Sequence, residues 1–203
     1  MKLYNSIGPN PHVVRMFIKE LGVDVPTEEV DLMAGDNRKA EFLKVNPMGQ
    51  MPALINDAGD AVCEITVICE YLDDITPGKT LIGDTPEQRA ETRMWVRRID
   101  LNICEPMANG FRFGEGLGLF KDRIITIPEA SDGLKKVAQA NLKWLDGQME
   151  GKEFVAGDRL TLADILLYCF LAFGAGIGQT VPADCKNLIA WQERMAARPS
   201  AAA

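Results

Sequence analysis

Histidine is almost missing from this chain: among 203 residues there is one, His12. A metal centre built from several histidines is therefore excluded, and a serine or cysteine nucleophile that needs a histidine base would have to use this one. The five cysteines are spread out with no Cys-x-x-Cys pair: Cys63, Cys69, Cys104, Cys169 and Cys185. An odd number at such spacing fits neither a disulfide framework nor a zinc site. We therefore expect no metal, and thiols that pack as small apolar groups.

Long apolar runs and an excess of positive charge are also lacking. The longest apolar stretch, 165–178, is shorter than the roughly 20 residues that span a bilayer, and residues 1–6 lack the apolar run of a signal peptide. The formal net charge is −7, and an acidic surface repels phosphate backbones and anionic lipids. We expect a cytoplasmic protein that binds neither nucleic acid nor membrane.

The apolar pattern divides the chain into two parts. The first part predicts the order β-α-β-α-β-β-α, with strands near 2–5, 28–32, 53–55 and 61–64 and a helix over 65–75. Its first helix is predicted to have Asn10 as N-cap and Gly22 as its stop. From residue 85 the pattern is only helical, with a capping box at 161–164 before a buried helix, and 109–121 is predicted to be a loop. The predicted domains are 1–78 and 85–203.

The most informative segment is Asn46-Pro-Met-Gly-Gln-Met-Pro-Ala-Leu54. Met51-Pro52 leads directly into a strand, which suits a cis-proline turn. In that geometry the N–H and C=O of Met51 point outward, where an extended peptide pairs with them as an added strand. An ordinary proline-bearing loop is the alternative interpretation.

Three segments together resemble the glutathione transferase superfamily: the strand–loop–helix at 1–22, Asn46–Leu54 and Glu64–Leu72. The second is close to that family's Asn-Pro-x-Gly-Lys-Val-Pro-x-Leu, and the third matches its Glu-Ser-x-Ala-Ile-x-x-Tyr-Leu. Residues 154–164 are similar to the stretch that opens the family's buried helix. The resemblance implies a bacterial-type cytosolic fold, with a thioredoxin-like α/β first domain and an all-helical second domain, and a homodimer.

The resemblance also implies an activity. A stabilised glutathione thiolate would attack a small electrophilic or apolar substrate in detoxification, with glutathione as co-substrate. The implied glutathione-binding residues are Asn10, Gln50, Met51, Pro52, Glu64 and Ile65. The expected pocket for the second substrate is lined by Trp95, Phe111, Arg112 and Phe113; packing of the 109–121 segment is the alternative role for the last three.

The chain departs from the family pattern where the chemistry is most exacting. Gly8 stands where the family has the serine that hydrogen-bonds the thiolate, Ile65 replaces the serine beside Glu64, and Gln50 replaces a lysine. Gly8 and Ile65 therefore favour an alternative function, a non-catalytic interaction protein with this fold.

Three residues are candidates to stabilise the thiolate in place of the missing serine. Asn10 is the first, because a helix start with unpaired N–H groups lowers a thiol pKa. Ser6 is the second, through a shift of the loop, and Tyr4 is the third. Each has a structural alternative: Asn10 as an N-cap alone, and Ser6 as a solvated loop residue. Glu64 likewise has the alternative of a carboxylate that only complements a helix dipole.

Overall fold

The computed structural model describes all 203 residues and divides into two compact units. One comprises Met1–Asp84 together with Pro199–Ala203, and the other Thr85–Arg198. The last five residues, which the predicted boundary assigns to the helical domain, thus pack within the first unit. There the Ser200 hydroxyl donates to the buried carboxylate of Glu20, and His12 Nε2 lies 3.1 Å from the Ala201 carbonyl oxygen.

The first unit has the predicted order of elements. They are β1 (Lys2–Asn5), α1 (Pro9–Leu21), β2 (Thr27–Glu29), a 3-10 turn (Asp36–Arg38), α2 (Ala40–Leu43), β3 (Ala53–Ile55), β4 (Ala61–Cys63) and α3 (Ile65–Ile75). The strand order is β2-β1-β3-β4, with β1 parallel to β2 and antiparallel to β3. This mixed four-stranded sheet confirms the thioredoxin-like prediction, although β2 begins and ends earlier than predicted.

The first helix corrects one detail of the prediction. Its N-cap is Gly8, not Asn10, and the helix begins at Pro9. Proline fits this turn because the first N–H groups of a helix have no intrahelical partner in any case. Gly8 has φ 107° and ψ 174°, a conformation open to glycine and strained for other residues. Gly22 ends the helix in a left-handed conformation, as predicted.

The second unit is all-helical, as predicted. It contains α4 (Pro86–Ile99), a π-helical segment (Asp100–Cys104), α5 (Glu105–Phe113), α6 (Leu117–Phe120), a 3-10 turn (Pro128–Ala130), α7 (Ser131–Gln148), α8 (Leu162–Gly176) and α9 (Lys186–Ala196). The prediction of a loop over 109–121 is wrong for most of that range. A Cβ atom on Gly110 would lie 2.8 Å from the Lys135 side chain, so this glycine permits close packing of α5 on α7.

The capping box at the start of α8 is present and fully buried. Asp164 accepts hydrogen bonds from the N–H and hydroxyl of Thr161, both at 3.0 Å, from the Val155 N–H at 2.8 Å and from Trp191 Nε1 at 3.0 Å. Burial raises the pKa of Asp164, although these four donors favour the ionised form. Despite the apolar composition of α8, no helix has both the length and the hydropathy that crossing a bilayer requires.

Candidate functional site

The register of the sheet brings the three sequence segments to one end. Ala53 of β3 pairs with Tyr4 of β1 on one side and with Cys63 of β4 on the other. In antiparallel pairing, the residues just before β3 lie opposite those just after its two partners. Met51–Pro52, Glu64 and the connection from β1 to α1 therefore meet at the same end of the sheet.

Met51 presents an unused backbone. The Met51-Pro52 peptide bond is cis, as predicted. The Met51 N–H and C=O bond to no other group in the chain, while its side chain packs with Val30, Phe42 and Ala53. The side chain thus fixes the residue and leaves one donor and one acceptor available to an extended peptide.

Two buried asparagines hold this loop in place. Asn37 Nδ2 donates to the Gly49 carbonyl at 2.6 Å, and Asn46 Nδ2 donates to the Gln50 carbonyl at 2.9 Å. The sequence pattern singles out neither. Asn46 has a local signal, since asparagine side chains commonly bond the backbone two residues on, as Asn46 Oδ1 does with the Met48 N–H at 3.1 Å. Asn37 acts across 12 residues and carries no such signal. Gln50 itself is exposed.

Glu64 occupies the N-cap of α3 in a strained conformation. Its φ of 70° and ψ of 126° make it the non-glycine residue with positive φ, a conformation that costs of order 1–3 kcal/mol. The side chain is exposed and makes no capping hydrogen bond. The first N–H groups of α3, from half-buried Ile65 onward, have no intrahelical partner. The Glu64 carboxylate, which can bind a cation, therefore lies beside backbone N–H groups that can bind an anion.

The start of α1 offers a sparse set of donors. Pro9 and Pro11 occupy the first and third helical positions, so Asn10 supplies the one backbone N–H among the first three helical residues. The Asn10 side chain is half-buried and makes no hydrogen bond within the chain. Both its backbone N–H and its carboxamide are thus available to a ligand.

The other two thiolate candidates have structural roles. Ser6 is buried, and its hydroxyl donates to the Val30 carbonyl at 2.7 Å, so its one hydrogen is already engaged. The Tyr4 ring packs edge-on against Phe42, with centroids 5.7 Å apart, and Lys2 Nζ lies 4.5 Å from its centre. These contacts favour structural roles for both residues, and a thiolate contact of either stays a prediction.

Arg15 anchors the connection between β1 and α1. Its Nη1 donates to Asn5 Oδ1 at 2.7 Å and to the Ser6 carbonyl at 3.1 Å. Asn5 Nδ2 in turn donates to Glu29 at 2.6 Å. This network links the end of β1 to β2 and to α1, and so fixes the position of Gly8 and Asn10.

In the helical unit, the predicted pocket residues are mostly engaged in packing. Trp95 is a core residue, and its ring lies 6.2 Å from that of Trp144. The cations of Arg98 and Lys152 each lie 5.1 Å from the centre of the Trp95 ring. These groups cover the ring, which favours a core role for Trp95 over the predicted role as a pocket wall.

The aromatic segment of α5 also favours the packing interpretation. The Phe111 ring meets those of Phe120 and Phe173 edge-on, at 6.2 and 5.3 Å. Arg112 donates to Asn109 at 2.9 Å and lies over Phe120. Arg112 and Phe113 are nevertheless half-exposed on the last turn of the helix, so they stay candidates for the second-substrate pocket.

Three of the cysteines have the opposite of an activated thiol. All five are free thiols, and four are buried. Burial raises the pKa of Cys63, Cys104 and Cys185, which keeps these thiols neutral. This confirms their predicted role as small apolar groups.

Comparison with known proteins agrees with this architecture over the whole chain. Residues 1–74 match the family profile "Glutathione S-transferase, N-terminal domain" and residues 124–199 match "Glutathione S-transferase, C-terminal domain". Glutathione S-transferase 2 of Saccharomyces cerevisiae is 32% identical over 206 residues, which cover 98% of this chain and 87% of that protein. Elongation factor 1-gamma of Equus caballus is 33% identical over 135 residues, which cover 66% of this chain and 29% of that protein.

A solved structure gives the same result in three dimensions. The glutathione S-transferase domain-containing protein of Marinobacter aquaeolei superimposes with a TM-score of 0.93 at 34% identity, covering 99% of this chain and 100% of that one. Two family domains in the expected order, and likeness along the full length, lead to one conclusion. The chain belongs to the glutathione S-transferase superfamily.

Proposed function

We propose that the protein is a glutathione transferase whose glutathione site is the sheet end formed by Met51, Glu64 and the start of α1. One observation carries the proposal: an unpaired backbone at Met51 and a strained, exposed carboxylate at Glu64 meet at one end of the sheet. Backbone strain of this kind persists where the surrounding structure and function impose it.

Each part of the tripeptide has a matching group here. The cysteinyl main chain of glutathione pairs with the Met51 N–H and C=O next to Pro52. The γ-glutamyl ammonium meets the Glu64 carboxylate, and the γ-glutamyl α-carboxylate accepts from the N–H groups that begin at Ile65. The Gln50 carboxamide is placed on the same loop and donates to the glycyl carboxylate.

Asn10 then accounts for activation of the thiol. A free thiol ionises near pH 8.5, about 1.5 units above neutrality. The Asn10 N–H and carboxamide at the start of α1 hydrogen-bond the sulfur, which stabilises the anion and lowers the thiol pKa. The proton leaves to solvent, and a sulfur lone pair forms a bond to an electrophilic carbon of the second substrate. The bond from that carbon to its leaving group breaks, and the group departs with the bonding pair, as chloride does from 1-chloro-2,4-dinitrobenzene. Holding both reactants in contact contributes the rest of the rate.

Calorimetric titration tests the site directly. We expect glutathione to bind, and cysteinylglycine, which lacks the γ-glutamyl group, to bind at least tenfold more weakly. Turnover of 1-chloro-2,4-dinitrobenzene should accompany binding. If the two thiols bind equally, the assignment of Glu64 and Ile65 is wrong; if glutathione does not bind, the proposed function is wrong. Light scattering of the purified protein tests the homodimer that we also propose, and fractionation of the source cells tests a cytoplasmic location.

The non-catalytic alternative has one specific observation in its favour. Neither Gly8 nor Ser6 offers a free hydroxyl to the thiolate, because Gly8 has a φ of 107° that strains a serine and the Ser6 hydroxyl donates to the Val30 carbonyl. The ultraviolet absorption of the thiolate separates the two functions. A bound glutathione that ionises well below its free pKa supports the transferase, whereas bound glutathione with an unchanged thiol pKa supports an interaction protein.

A further inference from the structure

A second surface of the first unit carries features that glutathione binding does not use. It is a groove of about 300 Å³, and none of the residues proposed above to contact glutathione lines it. Its apolar walls are Tyr4, Val30, Phe42 and Val45, and its rim bears Glu28, Glu29, Asp36, Lys39 and Glu41.

The groove runs beside the open edge of the sheet. Strand β2 is an edge strand, and all three of its side chains are exposed. The Leu3 N–H donates to the Pro26 carbonyl and the Val30 N–H donates to the Asn5 carbonyl, both at 2.8 Å. The backbone N–H and C=O groups of alternate residues in a strand point to the same side, and the Pro26 C=O and the Val30 N–H point to β1. Thr27 and Glu29 therefore direct their N–H and C=O groups to the open side.

The charge of the groove selects the occupant. Four carboxylates and one ammonium line it, a formal charge of −3, and Lys2, which pairs with Glu28, reduces this to −2. Lys39 lies 2.6 Å from Asp36, whereas Glu41 is exposed and forms no ion pair. The same carboxylates repel one another when two copies meet edge to edge, so a second copy of this chain is disfavoured.

The molecule already shows how a cationic side chain fits this surface. Lys2 Nζ lies 2.7 Å from Glu28 Oε2 and 4.5 Å from the centre of the Tyr4 ring. An ammonium group therefore combines a carboxylate contact with an aromatic face here.

We propose that this groove and the edge of β2 form a docking site for an extended, lysine- or arginine-bearing segment of a partner protein. The main chain of the segment pairs with Thr27 and Glu29 as a fifth strand, and its alternate side chains are about 6.6 Å apart. One of its cations meets Glu41, because Lys2, Asn5 and Lys39 already contact the other three rim carboxylates. The site shares no residue with the proposed glutathione contacts, although its walls Val30 and Phe42 also pack with Met51.

Fluorescence anisotropy at physiological ionic strength tests the proposal with defined peptides. The probe is a labelled octapeptide of alternating lysine and threonine. Its matched controls replace lysine by glutamate, or methylate the backbone nitrogens of either the lysines or the threonines. Glu41→Lys reverses a charge on the rim, and Glu150→Lys reverses an exposed carboxylate in the helical unit.

We expect the lysine peptide to bind at least tenfold more tightly than the glutamate peptide. One of the two N-methylated peptides should bind at least tenfold more weakly than the unmethylated lysine peptide. The lysine peptide should bind the Glu41→Lys variant at least tenfold more weakly than the wild type, and the Glu150→Lys variant within twofold of the wild type. Equal binding of both N-methylated peptides would show attraction of cations without strand pairing and overturn the proposal. Equal effects of the two charge reversals, or no binding of the lysine peptide, would also overturn it.

Discussion

Among single residues, Glu64 combines an unfavourable backbone conformation with an unengaged carboxylate. Glycine lacks the Cβ atom that makes a φ of 70° unfavourable, so we expect Glu64→Gly to relieve part of the strain and raise the free energy of unfolding by about 1 kcal/mol. Glu64→Gln keeps the backbone and removes the charge, so its stability should not change. Both variants should bind glutathione about tenfold or more weakly, since a bond to a charged group contributes about 1.5–3 kcal/mol.

Urea unfolding and calorimetric titration measure the two effects of the Glu64 variants separately. If Glu64→Gln binds glutathione as the wild type does, Glu64 is only a helix-terminal charge.

Asn10 and Ser6 form a second pair that separates activity from stability. Asn10 has a free carboxamide, so Asn10→Ala should lower the rate with 1-chloro-2,4-dinitrobenzene about 10- to 100-fold, for a loss of about 1.5–3 kcal/mol, at unchanged melting temperature. Ser6 donates to a buried carbonyl, so Ser6→Ala should cost about 1–3 kcal/mol of stability and leave the rate per folded molecule unchanged. Steady-state rates and thermal melts of the two variants decide this. The opposite pattern would assign the thiolate contact to Ser6.

At the scale of whole elements, local signals predicted where helices begin, and long-range packing decided the exceptions. The starts of α3 and α8 follow from residues next to them in sequence. The start of α1 was misplaced because Pro9 fits the first helical position as well as Pro11 does. The glycines of 109–121 resemble loop residues, yet Gly110 serves contact with a helix more than 20 residues away, which the local pattern does not encode.

The start of α3 gives the third prediction. Ile65 is half-buried at the first helical position, so Ile65→Ser does not remove a core side chain. A serine there adds a hydroxyl donor for the γ-glutamyl carboxylate, and we expect glutathione to bind about 10- to 100-fold more tightly, for a charge-assisted bond of about 1.5–3 kcal/mol. Ile65→Ala is the matched control, since it shortens the side chain without a donor. Equal affinities for the two variants would show that the carboxylate has another anchor.

The start of α8 gives the fourth prediction. Asp164 is wholly buried and receives four hydrogen bonds. Asp164→Ala leaves the Val155 N–H and the Trp191 indole N–H without partners, so we expect a loss of at least about 3 kcal/mol or a failure to fold. Asp164→Asn retains an acceptor and should lose less. Urea unfolding of both variants checks the order, and equal losses would mean that the charge itself, not the acceptor, stabilises the helix start.

At the scale of the whole molecule, the order of elements and the sheet end of the site were predictable, whereas the supporting contacts were not. Motif spacing placed Met51 and Glu64 beside neighbouring strands, and register then brings them together. Asn37, Arg15 and the docking of 199–203 on the first unit depend on contacts between segments far apart in sequence. Periodicity reports which face of an element is buried, but it does not report which distant polar group will meet it.

The single histidine provides a test of that long-range docking. His12 is half-buried on α1, 3.1 Å from the Ala201 carbonyl oxygen. Burial lowers the pKa of His12, and the Arg15 charge adds to this, against a smaller opposite effect of the Ala201 contact. Because the folded-state pKa lies below the unfolded value of about 6.5, the unfolded chain binds more protons between the two values. The contribution of His12 to the free energy of unfolding is therefore fully present above a pH of about 6.5, and it is lost as the pH falls through the folded-state pKa.

We expect the free energy of unfolding, measured in urea, to decrease as the pH is lowered from about 7.5 to about 5.5. This interval lies above pH of about 4, near which ordinary carboxyl groups titrate. His12→Gln keeps a donor for the Ala201 carbonyl and does not titrate, so the decrease that His12 causes should be missing from its curve over the same interval. A wild-type curve without slope, or an equal slope in His12→Gln, would show that His12 is not the group responsible. A shortened variant that ends at Arg198 exposes the His12 side chain. The pH dependence of its free energy of unfolding should be weaker than that of the wild type, because the pKa of His12 then differs less between the folded and unfolded states.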